Sequence, residues 1–395
     1  MSTKAAYIVA IARTPIGSFG GSLSSLSAVT LGSIAIKSAL ERSGLDGQLI
    51  TDVYMGNVVS ANLGQAPAKQ ATIGAGLSVK TNCTIINKVC ASGLKSIALA
   101  AQSIQLGLSD AIVAGGMESM SNIPHYVPSL RWGNKFGGAE IIDGLQKDGL
   151  SDAYDNSAMG VCGDETASKM NISRESQDEY AIRSYTKSSE STSQGKFKTE
   201  IAPVSIAQKK GDPVVISEDE EFKKVDFGKI PGLRPAFTPN GTVTAANAST
   251  LNDGAAAVVV VSEEYLKKYN LSPIARIVSY ADGEHEPKMF TTAPTISSPI
   301  AIQRAGLKIS DIDYFEVNEA FSVVPLAYSN ILDIDLNKIN VNGGAVSLGH
   351  PIGASGTRIA VSLTQILKQN NAKYGLATIC NGGGGSTTMI LENVN

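Results

Sequence analysis

Few side chains here have the type and setting that covalent chemistry needs, and they fall in four short stretches. Cys90 lies between the strand-like Thr84 to Asn87 and a helix that opens at Ala91 or Ser92. A thiol at a helix N-terminus has its thiolate stabilised by the dipole and by free backbone N–H groups. The same N–H groups can hold the oxyanion formed when that sulfur attacks a thioester or an amide. Cys380, in Thr378-Ile-Cys-Asn-Gly-Gly-Gly-Gly385, ends an apolar strand at a glycine turn and offers a second reactive thiol. His350 stands in Asn342-Gly-Gly-Ala-Val-Ser-Leu-Gly-His-Pro-Ile-Gly-Ala-Ser-Gly356, a glycine-dense turn ahead of a helix. There the backbone can approach a ligand closely and the loop can fix one side chain. Asn318 and Glu319, in Glu316-Val-Asn-Glu-Ala-Phe321, fall between a strand end and a helix start, as hydrogen-bond donor and orienting carboxylate. Each residue also has a structural alternative: cysteine is among the most buried residue types, a histidine before proline serves turns, and Asn-Glu can cap a helix. Position alone leaves both readings open.

Other chemistries find little support. Cys83 and Cys162 read as packing residues, and four dispersed cysteines without C-x-x-C spacing suggest neither a disulfide framework nor a zinc site. With only His125, His285 and His350, a three-histidine metal site is not expected. The glycine-rich segment has no Gly-Lys-Ser/Thr ending and no G-x-G-x-x-G, so it is not a phosphate loop of either type.

Alternating elements must position these residues. Ala6 to Ala12 reads as a buried strand; Leu31, Ile34, Ala35 and Ala39 recur at helical spacing until Gly44; Asp52 to Val58 is again strand-like. Ser92 to Gly107 carries Ile97, Ala101, Ile104 and Leu108 on one expected helical face, and Ala111-Ile-Val-Ala precedes Gly115-Gly116. This is the alternation of an α/β domain with a covered sheet. The last third repeats it. Ala39 to Leu45 is similar to Ala301 to Leu307, Asn57 to Asn318, Ala91-Ser-Gly to Ala354-Ser-Gly, and Gly115-Gly116 to Gly382-Gly383. An internal duplication follows, with Cys380 expected opposite Val113 or Ala114 of the first copy. Between the copies, Ser121 to about Ala248 has a different texture, with a polar helix near Glu175 to Gln194 and the acidic run Glu218 to Glu221, which reads as a solvated face.

Composition sets the outer bounds. The 395 residues are 43% hydrophobic and 17% charged, enough to bury a core shared between two or three domains. A net charge of -3 leaves no basic footprint, so neither nucleic acid nor a membrane surface is expected as partner. No signal peptide, membrane span or peroxisomal Ser-Lys-Leu ending is recognisable, and the expected location is cytoplasmic.

Taken together, the reactive stretches resemble the catalytic blocks of thiolases. Asn87-Lys-Val-Cys-Ala-Ser-Gly93, Asn318-Glu-Ala-Phe321, Gly343 to Gly356 with its His-Pro-Ile-Gly, and Cys380-x-Gly-Gly-Gly384 match in order and spacing. Ala12-Arg-Thr-Pro-Ile-Gly17 and Gly241 to Gly254 are also similar, so the likeness runs almost the whole chain. It is strongest to the short-chain biosynthetic branch, the cytosolic acetoacetyl-CoA thiolases (acetyl-CoA C-acetyltransferases). The resemblance implies the α/β thiolase fold: two duplicated βαβαβαββ halves in five layers, with an inserted loop domain. Residues 1–120 with 249–272 would form the N-terminal half, 121–248 the loop domain on the CoA side, and 273–395 the C-terminal half.

The resemblance also implies a ping-pong Claisen condensation of two acetyl-CoA to acetoacetyl-CoA plus CoA, and the reverse thiolysis, feeding the mevalonate route to isoprenoids and sterols. Cys90 would be the nucleophile, assisted by His350, and Cys380 the base. His350 with a water held by Asn318 would form one oxyanion hole, the N–H groups of Cys90 and Gly382 the other, with Glu319 orienting the shell. CoA is expected along Ala245, Ser249, Leu251 and Phe321, its adenine near Phe237, with Met159 as a pocket wall and Lys223 and Lys224 near the nucleotide. Ala158 stands where many members have a histidine, and Phe290 would border the acyl pocket and favour short chains. Tyr185, Ala245, Ala246, Ala248 and Val346 match positions that bind potassium in a potassium-activated subset. A homotetramer without a prosthetic group is implied. A β-ketoacyl-carrier-protein synthase shares the fold and a Cys-His-Asn set but has no place for Cys380, and a CoA carrier without catalysis would not need all four side chains.

Overall fold

A computed structural model describes residues 4–394; the ends of the expected first and last segments, residues 1–3 and 395, lie outside the described residues. Strand β1 (Ala6–Arg13) is apolar at nearly every position and almost wholly buried, as a strand covered on both faces must be. Helix α1 (Ala28–Ser43) follows, capped by the Ser27 hydroxyl accepting from the Thr30 N–H and ended by Gly44 in the left-handed region. Then come β2 (Asp52–Gly56), α2 (Pro67–Gly74), β3 (Asn82–Ile86), α3 (Ser92–Gln105) and β4 (Ala111–Ser119). The chain leaves the sheet, forms α4 (Met159–Lys169) and α5 (Arg174–Ser193), and returns as β5 (Asn252–Ser262). The second copy runs β6 (Ala275–Glu284), α6 (Pro294–Ala305), β7 (Tyr314–Val317), α7 (Val323–Leu332), α8 (Ile352–Gln369), β8 (Tyr374–Asn381) and β9 (Gly385–Asn393).

Strand pairing repeats with the elements. β4 and β5 are antiparallel, as are β8 and β9; β2 runs parallel to β4, as β7 does to β8; β1 opposes β5, as β6 opposes β9. β3, parallel to β2, has as its counterpart an isolated parallel bridge between Phe315 and Ile339. The copies are also joined. Ala6–Ile8 of β1 pair antiparallel with Ala275–Ile277 of β6, so one ten-stranded sheet runs through both halves in the order β7-β8-β9-β6-β1-β5-β4-β2-β3, with the two-residue strand Gly17–Ser18 paired to β5 as the tenth.

Helices fill the remaining layers. α3 and α8 lie between the two halves of the sheet, and Leu94, Ile97, Ile359 and Leu363 form the central core with Ile112, Val258 and Ile379. Leu31, Ile36 and Ala71 of α1 and α2 cover one outer face, and Ala301, Ile302 and Val324 of α6 and α7 the other. Helix, sheet, helix, sheet, helix are the five layers. The Ala-Ser-Gly triplets at the starts of α3 and α8 have a packing cause. A Cβ on Gly93 would come 2.7 Å from the Thr357 nitrogen, and one on Gly356 would overlap the Leu94 nitrogen. Only glycine lets these helix starts touch. The loops just ahead of them, which carry Cys90 and His350, are brought together as a result.

Two expectations are corrected by the pairing. Gly56 lies opposite Gly116 and Val317 opposite Thr378, which aligns Cys380 with Glu118 and not with Val113 or Ala114. The misleading glycines serve different ends: Gly116 sits inside β4, where a Cβ would overlap the Gly353 carbonyl, while Gly383 and Gly384 turn β8 into β9 at φ +89° and +97°. Nor is the acidic run a solvated face. Asp219 is buried and accepts from both terminal nitrogens of Arg13 at 2.7 and 2.9 Å and from the Ile16 N–H at 2.8 Å. Glu220 accepts from the N–H groups of Ser18 and Ser22 at 3.0 and 3.1 Å. These carboxylates pin the inserted segment to β1 and the loop after it.

Candidate active site

Cys90 is presented by a strained turn two residues before α3. Val89 has φ +46°, a left-handed conformation that for a β-branched residue costs on the order of 1–3 kcal/mol. Local bonds hold it: the Val89 N–H donates to Asn87 Oδ1 at 3.0 Å, the Ser92 hydroxyl donates to the Val89 carbonyl at 2.5 Å, and the Lys88 N–H donates to Ser92 Oγ at 2.8 Å. The backbone N–H groups of Cys90 itself and of Gly382, one from each half of the molecule, lie near enough to Sγ to favour its thiolate. Burial nevertheless pushes the thiol up to about 12, against the pull of those two donors. At neutral pH Cys90 therefore rests as a thiol.

His350 is fixed by the residue that matches Ser92 in the repeat. Nδ1 lies 2.6 Å from Ser355 Oγ, and that hydroxyl donates its proton to the Pro351 carbonyl at 3.0 Å. The oxygen can then only accept from Nδ1–H, which leaves Nε2 bare. Burial, helped by Arg358, pulls the imidazole down to about 3, so His350 rests neutral. Each copy of Ala-Ser-Gly thus uses its serine to set the reactive loop and its glycine to bring the helices together. The sequence displayed the triplet twice; the hydroxyl's role emerges only from its partners.

Asn318 follows β7, its N–H donating to the Thr378 carbonyl at 3.0 Å. Its Oδ1 and Nδ2, together with His350 Nε2, are buried without a protein partner. Roughly nine in ten or more buried polar atoms are paired, so these three unpartnered atoms mark a place where a water or a ligand can bond. Glu319 is fully committed elsewhere. It accepts from Tyr180 Oη (2.9 Å), Ser184 Oγ (2.7 Å), Asn340 Nδ2 (2.8 Å) and the Val346 N–H (3.0 Å), so it fixes the 340–346 loop against α5 and makes no bond to the Asn318 side chain. Cys380 is buried at the end of β8, its thiol pushed up by burial and then by the neighbouring Cys90. Its counterpart Glu118 was not anticipated. Glu118 accepts from the Val58 N–H at 2.9 Å, the Gly353 N–H at 3.0 Å and Asn57 Nδ2 at 2.8 Å, and burial pushes it up to about 7. It ties the loop after β2 to the start of α8.

A cavity of about 640 Å³ opens beside these groups. His350, Met120 and Ile352 belong to its wall, and Cys90 packs against the small apolar cluster that contains Met120 and Ile352. Met159, Lys224, Phe237, Ala245, Ser249, Leu251 and Phe321 all line it, as does Ala158. Met159 also covers Gly382, its Cε 3.4 Å from where a Cβ would stand. Lys223 does not line the cavity: its ammonium pairs with Glu218 at 2.7 Å and lies over the Phe222 ring. Successive residues of one tight turn point different ways, and only Lys224 faces inward. Phe290 is buried in the core that contains Cys380, behind the cavity and not in its wall. Tyr185 and Val346 pack in one cluster, while Ala245 and Ala248 line the cavity and Ala246 is buried beside them. Among the described residues no group of three or more His, Cys, Asp or Glu is placed to hold a metal ion, and no helix is long and apolar enough to cross a membrane.

A half-buried thiol beside two backbone N–H groups, a neutral imidazole with a bare nitrogen, and a second, buried thiol suit the transfer of acyl groups. The N-terminal domain of thiolase matches residues 6–264, and its C-terminal domain residues 271–393. The chain is 55% identical over 391 residues to a probable acetyl-CoA acetyltransferase of Dictyostelium discoideum, covering 99% of this chain and 94% of that one. It is 53% identical to a mitochondrial acetyl-CoA acetyltransferase of Bos taurus, over 98% of this chain and 91% of that one. The crystal structure of Acat5 thiolase from Ascaris suum in complex with coenzyme A superposes with a TM-score of 0.95 at 45% identity, covering 99% and 100% of the two chains. The chain belongs to the thiolase family, and it is an acyltransferase.

Proposed function

We propose that the chain interconverts two acetyl-CoA with acetoacetyl-CoA plus CoA by a ping-pong route. The observation that carries this reading is the cavity whose wall holds His350 with its unpartnered Nε2, beside Cys90 and the unpartnered Asn318, with Cys380 near enough to Cys90 to be raised by it. As Cys90 attacks the first thioester its proton passes to His350 Nε2, and the two N–H groups hold the carbonyl oxygen as it gains charge. The departing CoA sulfur takes the proton of Cys380, which leaves Cys380 as the thiolate that removes the α-proton of the second acetyl-CoA. His350, now carrying its proton, and a water on Asn318 hold the enolate oxygen. The carbanion attacks acetyl-Cys90, the sulfur is expelled as thiolate, and His350 returns the proton. Because both resting groups are neutral, proton transfer and attack are coupled; no preformed ion pair supports the first step.

CoA would enter against the 121–248 loop domain, with Ser249, Leu251 and Phe321 along the pantetheine and Phe237 near the adenine. Lys224 supports a phosphate contact there. A homotetramer is supported by the exposed Trp132, Phe136 and Ile141 of the inserted segment, and light scattering tests it. We also place the reaction in the cytosol at the entry to the mevalonate route. A relative at 53% identity is mitochondrial, so fractionation of the source cells decides the compartment. The central test is CoA-dependent cleavage of acetoacetyl-CoA beside a longer 3-ketoacyl-CoA, with Cys90→Ala as control and intact mass to detect acetyl-Cys90. Cleavage of the short substrate alone, lost in the variant, is expected. Equal cleavage of both would move the enzyme to the degradative branch, and absence of acetyl-Cys90 would refute the mechanism.

A further inference from the structure

The two N–H groups at the Cys90 sulfur come from opposite halves of the molecule, so something must hold the halves in register at that point. The strained turn Asn87 to Ala91 belongs to the first half, and Gly382 to the β8–β9 turn of the second. One side chain bridges them. Asp282, on β6, accepts from Lys88 Nζ at 2.9 Å through Oδ1 and from Lys95 Nζ at 2.5 Å through Oδ2. Lys88 immediately precedes the strained Val89, and Lys95 lies in the first turn of α3. On its own side Asp282 lies opposite Thr387 in the β6–β9 register and accepts from the Thr387 hydroxyl at 2.7 Å. Lys88 reaches β9 as well, donating to the Ser386 carbonyl at 3.0 Å, and Ser386 lies opposite Cys380 in the β8–β9 hairpin. Glu284 adds a second carboxylate 3.3 Å from Lys88.

We infer that Asp282 is a positioning residue: it clamps the Cys90 turn and the start of α3 to the hairpin that carries Cys380 and Gly382, and so aligns the two N–H donors of the oxyanion hole. The inference rests on the proposed acyl transfer through Cys90. Charge-assisted bonds to both lysines make the clamp directional, and the isosteric Asp282→Asn removes its charge with little change in shape. A misplacement of about 1 Å in such a site lowers rate by about 100-fold without altering remote binding.

The test uses the full chain and three readouts. Asp282→Asn should lower kcat for thiolysis of acetoacetyl-CoA by about ten-fold or more while KM for CoA stays within about two-fold. Single-turnover acetylation of Cys90 should slow in parallel with kcat, because that step needs the Cys90 and Gly382 N–H groups aligned on the developing oxyanion. In a Lys88→Met background the Asp282→Asn change should have a smaller effect than in the wild type, and Lys88→Met alone should reproduce the kcat loss if Asp282→Asn folds poorly. An unchanged kcat, or acetylation of Cys90 at the wild-type rate, overturns the clamp. Absence of acetyl-Cys90 in the wild type would instead overturn the acyl-transfer reading on which it stands.

Discussion

Replacing Ser355 with alanine isolates the control of the His350 tautomer. The change removes one hydroxyl from the first turns of α8, where alanine is the better helix former by up to about 0.5 kcal/mol. What it takes away is the acceptor 2.6 Å from Nδ1, in a position where His350 is 5% exposed and water cannot substitute freely. Leaving a buried N–H unpaired costs about 1–3 kcal/mol, so the net loss of stability should be about 1–2 kcal/mol. The same energy sets the tautomer balance. Loss of about 1.4 kcal/mol of preference for Nδ1–H lowers the ratio of bare to protonated Nε2 in the neutral ring by about ten-fold, and freedom of the ring takes it further from its working position. We expect kcat for thiolysis to fall about 10–100-fold with KM for CoA unchanged, and single-turnover acetylation of Cys90 to slow in parallel. Urea unfolding gives the stability term separately. A variant with kcat within about two-fold of wild type would refute the argument, because it would show that Nε2 stays bare without the serine.

Gly356→Ala should depress both stability and rate, by about 1–3 kcal/mol or more for overpacking against the Leu94 backbone and by about 100-fold for the separation of the two reactive loops; an active, stable variant would show that the helices have slack. Acid should destabilise the fold through His350. Its folded value of about 3 lies below the ordinary 6.5, so the unfolded chain takes up the proton first and stability is lost as pH falls from 6.5 toward 3; a His350→Asn variant should lose less across that interval in urea titrations. Phe290→Ala opens space in the core that contains Cys380 and should extend cleavage to longer 3-ketoacyl-CoAs, and an unchanged chain-length preference would count against that role. Turnover should be faster in potassium than in sodium, and equal rates in a salt-matched series would remove potassium from Tyr185, Ala245, Ala246, Ala248 and Val346.

The residues of rare type in glycine-rich settings were the legible ones. Cys90, Cys380 and His350 each stand where a backbone turn leaves a side chain little freedom, and the paired Ala-Ser-Gly triplets disclosed the duplication. Register was not legible, because glycine is common and serves unrelated ends. Gly115-Gly116 resembles Gly382-Gly383 in letters, yet Gly115 makes room for the Ala256 carbonyl and Gly116 for the Gly353 carbonyl, while the second pair lies in or beside the β8–β9 turn. For the same reason Glu118 stayed hidden: an acidic residue at a strand end carries no mark of burial until Val58, Gly353 and Asn57 are seen to donate to it. The 218–221 run shows the opposite error. Its charges suggested water, whereas the partner of Asp219 is Arg13, distant in sequence and invisible to any local window.

The placement of β1 has a consequence for how the chain comes into being. It leaves the ribosome before the other strands of its sheet, yet both of its neighbours, β5 and β6, are made much later: Ala6 pairs with Ser262 on one side and Ile277 on the other. Through most of translation an apolar strand must therefore wait with both edges open. Pairings this distant in sequence form slowly and leave sticky intermediates. The nucleophile shares that delay, since Cys90 emerges long before His350, Cys380 and Gly382 exist to act with it. A nascent chain carries the thiol but not the machinery, and reactivity is acquired only as the last strands close the sheet.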